Sequence, residues 1–132
     1  MAAFDRRELG AISLGGAAGA LLRVWLGETF AGGPPGWPWV TFAINVTGSF
    51  VLAYLATRLA ERLPLSSYRR PLLGTGFCGA YTTFSTMAVE TIKMFDADRG
   101  GLALAYAAAS IGAGFIAIWV ATSLARRTRA LT

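Results

Sequence analysis

Four apolar runs of about 20 residues each fill almost the whole chain and leave only short polar connections between them. A run of that length crosses the hydrocarbon of a bilayer as a helix, because a helix alone satisfies its own backbone there. The 132 residues are 55% hydrophobic and only 14% charged, with a mean hydropathy of +0.52, too little charge to cover a soluble domain of this size. The runs place spans at roughly 11–30, 40–60, 71–95 and 102–125, with no internal repeat and no second domain. The expected fold is an all-α membrane protein, a single four-helix unit over 1–132 with four transmembrane helices.

The remaining composition narrows the chemistry. Twelve Lys+Arg against seven Asp+Glu give a net charge of +5, but the basic residues flank apolar segments, where orientation and lipid headgroups explain them better than nucleic acid. Cys78 is the only cysteine, so no intrachain disulfide forms. Histidine is absent, which removes the commonest general base and metal ligand and argues against an enzyme. A signal peptide competes for the first run. That run continues through Arg23 to Phe30 without a small-x-small cleavage site, and the Arg6-Arg7 pair is too little for a twin-arginine signal, so a retained span is expected.

Within the first span, Gly15 and Gly19 form a small-xxx-small face that lets another backbone come close. Arg23 lies nearer its far end and either snorkels to the interface or serves an anion entrance. Residues 31–38, AGGPPGWP, make a turn, with Trp37 and Trp39 suited to the interfacial belt. The second span carries Thr41, Thr47, Ser49 and Tyr54, and its costly residue is Asn45, as interhelical glue or a ligand contact. A basic loop with Pro64 follows at 58–70, and a polar turn, DADRGG, at 96–101. The Ala- and Gly-rich fourth span is expected to pack closely, and it places Tyr106 and Ser110 one turn apart on one face.

The third span holds the functional stretch, residues 74–90, GTGFCGAYTTFSTMAVE. Gly74, Gly76 and Gly79 match the spacing of a dinucleotide-binding loop, but nothing around them reads as a βαβ unit. They suit tight packing or a helix break that frees carbonyl oxygens as acceptors or cation ligands. Helical spacing then puts Thr83, Thr86 or Met87, and Glu90 along one face. Each hydroxyl offers one donor, which suits an anion shedding water in a narrow path, and the edge of the Phe84 ring can meet an anion too. Glu90 reads equally as a proton carrier, a hydrogen-bond anchor or an interfacial carboxylate. These residues, with Asn45, Tyr106 and Ser110, make a polar track. One four-helix unit is thin for enclosing a pore, so an oligomer is expected, and residue chemistry alone does not name the ion.

With four spans, both termini and the middle loop share one side. That side gathers Arg6, Arg7, Arg58, Arg62, Arg69, Arg70, Arg126, Arg127 and Arg129, against Lys93 and Arg99 opposite. Nine against two predicts cytoplasmic termini by the positive-inside rule.

Three segments, GGAAGALLR at 15–23, NVTGSF at 45–50 and GFCGAYTTFST at 76–86, resemble the Fluc (CrcB) family of fluoride channels, in the same order and on the same spans. The resemblance implies a dimer of antiparallel subunits in a prokaryotic plasma membrane, with two pores that export fluoride passively. It implies that Asn45 points its amide into a pore, that Phe84 supplies a ring edge, and that Ser85 and Thr86 supply hydroxyls. Tyr106 and Ser110 match the family's polar track on the fourth helix, and Arg23 and Glu90 stand where the family also has charges. Backbone carbonyls of Gly79 and Thr82 from both subunits are implied to hold a structural sodium ion at the dimer centre. The family's second Phe is Met87 here, which has no ring edge, and its Gly-Gly is Gly79-Ala80.

An antiparallel homodimer needs both orientations from one sequence, so its loop charges should nearly balance. Nine against two favours one half of an oppositely inserting pair of paralogues. A small multidrug transporter would need a carboxylate in the middle of the first helix, where this chain has Gly, Ala and Leu. A non-conducting assembly subunit is the third reading, with Met87 as a relaxed pore position.

Overall fold

A computed structural model describes residues 5–31, 36–61 and 68–127. The centre of the expected turn (32–35), the middle of the basic loop with Arg62 and Pro64 (62–67), and Arg129 lie outside the described residues. The described residues are all helical or connecting, without a strand.

Helix α1 (Arg6–Thr29) is started by Asp5, whose side chain accepts the Arg7 N–H at 2.9 Å. Helix α2 is Trp39–Glu61. The chain then runs through α3 (Arg70–Cys78), wound as a π-helix, the single α-turn α4 (Gly79–Tyr81), and α5 (Phe84–Asp96). It ends in α6 (Gly100–Arg127). The sharp turn between α5 and α6 is made by Asp98 in the left-handed region, φ 56°, which a short polar side chain tolerates.

Among the described residues, three helices, α1, α2 and α6, are long and apolar enough to cross a membrane. The third expected span, 71–95, is instead three helical pieces. Its longest, α5, has 13 residues, about 20 Å at 1.5 Å per residue, which is short of the hydrocarbon thickness. The glycines lie within α3 and at the start of α4, and the backbone turns extended only after them, at Thr82 (ψ 155°) and Thr83 (φ −147°, ψ 117°).

Packing follows the small residues. A Cβ on Gly15 would run into the Leu72 carbonyl and one on Gly19 into the Phe77 carbonyl, so α1 lies backbone to backbone along α3. On α6 the buried residues Ala103, Tyr106, Ser110, Ala117, Ala121 and Ala125 form one stripe along the helix. Large side chains such as Leu14, Leu21, Phe115 and Trp119 are exposed around the outside, a pattern that water penalises and lipid does not.

Candidate functional site, a polar cavity at the interrupted helix

The interruption at Thr82–Thr83 strands backbone groups that a continuous helix would pair. Asn45 takes up two of them. Its amide nitrogen donates to the Thr83 carbonyl at 2.9 Å, and its amide oxygen accepts the Thr83 N–H at 2.8 Å. One side chain on α2 thereby replaces both helical bonds of a residue 38 positions away. The amide expected to face a pore is at least half committed to holding this backbone.

Thr83 then caps α5. Its hydroxyl accepts the Thr86 N–H at 3.2 Å and donates to the Thr86 hydroxyl oxygen at 2.9 Å. A hydroxyl has one proton, so in the 3.3 Å contact between Thr83 and Ser85 the donor is Ser85. The Thr86 proton is the one this network leaves unspent. Thr86 is exposed and lines a cavity of about 1150 Å³, together with Arg23, Thr41, Thr83, Glu90 and Lys93.

Glu90 is anchored at both oxygens. Thr41 donates to Oε1 and Tyr106 to Oε2, each at 2.7 Å. Hydroxyls from α2 and α6 therefore hold a carboxylate on α5, and of the roles left open for Glu90 this geometry matches the hydrogen-bond anchor. The cavity's cations are Arg23 and Lys93, and Arg23 Nε is buried with no hydrogen-bond partner.

The other expected site residues divide into two groups. Phe84 is 77% exposed and Ser85 and Thr86 are exposed beside it, all at the start of α5. Met87, expected along the path, instead turns inward. It is 9% exposed, in a core cluster with Met94, Ala103 and Tyr106. Helical spacing allowed Thr86 or Met87 on one face with Glu90, and packing against α6 turns Met87 inward and leaves Thr86 lining the cavity. Tyr106 is completely buried and donates to Glu90, which lines the cavity. Ser110 is 8% exposed, its hydroxyl buried without a partner, and it does not line the cavity.

Gly79 opens the single turn α4 and Thr82 directly follows it. The Thr82 N–H bonds the Cys78 carbonyl at 3.1 Å and the Thr83 N–H goes to Asn45, so neither closes on the Gly79 carbonyl. Hard oxygen atoms at the negative end of a helix suit a cation such as sodium, and the residues fit that ion as carbonyl donors.

Sequence reasoning passed over Thr41 and Trp37. Thr41 lies one helical turn before Asn45 on the same face of α2, a spacing that marks it out among the chain's threonines once Asn45 is chosen. Trp37 reads as an interfacial anchor, and nothing in the sequence signals that it packs against Tyr106.

The sequence profile described as CrcB-like protein, Camphor Resistance (CrcB), matches residues 10–122. A protein of Mycolicibacterium paratuberculosis named fluoride-specific ion channel FluC 1 is 56% identical over 98% of both chains. One of the same name from Mycobacterium bovis is 57% identical over 95% of both. A more distant relative from Acidobacterium capsulatum, named fluoride-specific ion channel FluC, is 39% identical over 88% of this chain and 94% of its own. By the extent of the match and the identity along nearly its full length, this chain belongs to the CrcB family.

Proposed function

We propose that the chain is a subunit of a fluoride-selective channel that lets fluoride leave the cell down its gradient. The observation that carries this reading is the hydroxyl-lined start of α5 opening onto a cavity with two cations, in a chain whose relatives are named fluoride-specific channels. Fluoride is small and strongly hydrated, so a path for it must replace water with short, fixed donors. Arg23 and Lys93 draw an anion into the cavity. The unspent Thr86 proton and the N–H end of α5 meet it there, and the exposed Phe84 edge continues the path. A bare carboxylate at that point would repel the anion. Glu90 is tolerable because two hydroxyls share its charge.

On this reading the interruption at Thr82–Thr83 is a break in the third of four transmembrane segments. A second, antiparallel subunit covers the exposed Phe84 side, completing two pores. The Gly79 and Thr82 carbonyls of both subunits hold a sodium ion at the centre, where it fixes the two interrupted segments against each other. The location is a prokaryotic plasma membrane with cytoplasmic termini. The charge bias favours a second version, in which the partner is an oppositely inserted paralogue rather than a copy of this chain.

The test is growth of a bacterial strain lacking its own fluoride exporter, in millimolar fluoride, with this chain expressed alone or with a paralogue. Rescue by either supports the reading, and failure of both sinks it. Reporters on the C-terminus separate the two versions, since equal inside and outside populations would remove the case for a paralogue.

A further inference from the structure

We infer that Trp37 is a positioning residue for conduction, holding the Tyr106 hydroxyl on Glu90 and keeping cavity water away from that bond. The inference rests on the channel reading above, but it concerns a residue that reading does not use.

Trp37 lies in the short stretch before α2, and its ring meets three others. It stands edge-on to Tyr106, with centroids 5.5 Å apart at 85°, and to Phe42 at 5.7 Å and 72°. Trp39 leans on it at 5.7 Å and 37°. Edge-to-face contact is the favoured arrangement for aromatic rings and fixes the orientation of both. Trp37 also packs against the cluster of Met87, Met94, Ala103 and Tyr106 while lining the cavity. It therefore stands between the cavity and Tyr106, which is completely buried.

The consequence follows from hydrogen-bond competition. Tyr106 donates a 2.7 Å bond to Oε2 of Glu90, which lines the cavity. A phenol shielded from water gives that bond fully, because no solvent offers an alternative acceptor. Remove the shield and water enters beside Tyr106, the phenol gains other partners, and the Glu90 oxygen is left more anionic toward the cavity. An anion entering past Arg23 and Thr86 would then meet a less compensated carboxylate. Trp37 acts through Tyr106, and it needs its ring, not its N–H, to do so. The indole Nε1 is buried without a partner, which fits a residue retained for its ring.

The experiment compares Trp37→Ala and Trp37→Phe, each in the wild-type and the Tyr106→Phe backgrounds. It reads fluoride efflux from proteoliposomes and melting temperature in detergent. Trp37→Ala should lower fluoride efflux about tenfold and Trp37→Phe by less than about twofold, since an edge contact survives in the latter. In the Tyr106→Phe background Trp37→Ala should cost less than about twofold further, because the hydroxyl it positions is already gone. Equal losses from Trp37→Ala in both backgrounds would overturn the inference in favour of a purely structural role. Loss in Trp37→Phe as large as in Trp37→Ala would overturn it in favour of the indole N–H as a direct anion donor. Should neither the wild-type chain alone nor the chain with a paralogue move fluoride, the channel reading fails, and the melting temperatures still decide whether Trp37 positions the Tyr106 hydroxyl. Coupling between positions 37 and 106 sustains it, and additivity rejects it.

Discussion

The two sides of the interruption at Thr82–Thr83 are built by opposite means. On the near side, α3 and α4 lie backbone to backbone against α1, and nothing larger than hydrogen fits at Gly15 or Gly19. On the far side, α5 is held by side-chain hydrogen bonds, Asn45 to Thr83, Thr83 to Thr86, and Glu90 to Thr41 and Tyr106. The near half is a rigid mount that ends in carbonyls. The far half begins with N–H groups and hydroxyls and opens onto the cavity. On the channel reading, one interruption thus presents a cation-attracting end and an anion-attracting end. Steric fit fixes the near side and side-chain hydrogen bonds fix the far side, so substitutions on the two sides should fail in different ways.

The sharpest break of this comparison is Gly19→Leu. Its side chain would have to displace the Phe77 carbonyl, at a cost of about 3 kcal/mol or more, and we expect no monodisperse protein on size exclusion. Asn45→Ala comes next. It leaves two backbone groups of Thr83 unpartnered, and we expect fluoride efflux to fall about 100-fold while folded protein is still recovered.

The long helices were legible because hydropathy alone marks α1, α2 and α6, and the Gly15/Gly19 spacing announced a close approach. The interruption was less legible. Its place is set by Asn45 taking the Thr83 backbone from 38 residues away, a partnership that no local pattern contains. The inward turn of Met87 was hidden for a related reason. That residue neighbours Thr86 on the helix wheel, and only the Met94, Ala103 and Tyr106 packing turns it inward. The Glu90 anchor needed α2 and α6 brought together, although each of its hydroxyls was visible in the sequence.

Two milder substitutions sharpen the comparison. Thr86→Val keeps the shape but removes both the unspent donor and the acceptor of the Thr83 O–H, while the Thr86 N–H still bonds Thr83; it should lower fluoride efflux about tenfold with only a small fall in melting temperature. Met87→Leu is a volume-conserving change in the core and should alter efflux by less than about twofold, although the family resemblance puts that position on the path. A tenfold loss at Met87 with none at Thr86 would reverse the assignment of the two faces of α5.

The most direct measurement is anion efflux from proteoliposomes holding the purified chain, alone and co-reconstituted with a paralogue, with fluoride and chloride recorded side by side. The account predicts rapid fluoride efflux in at least one of these preparations, with chloride at the background rate. Chloride leaving as fast as fluoride, or fluoride retained in both preparations, would contradict it.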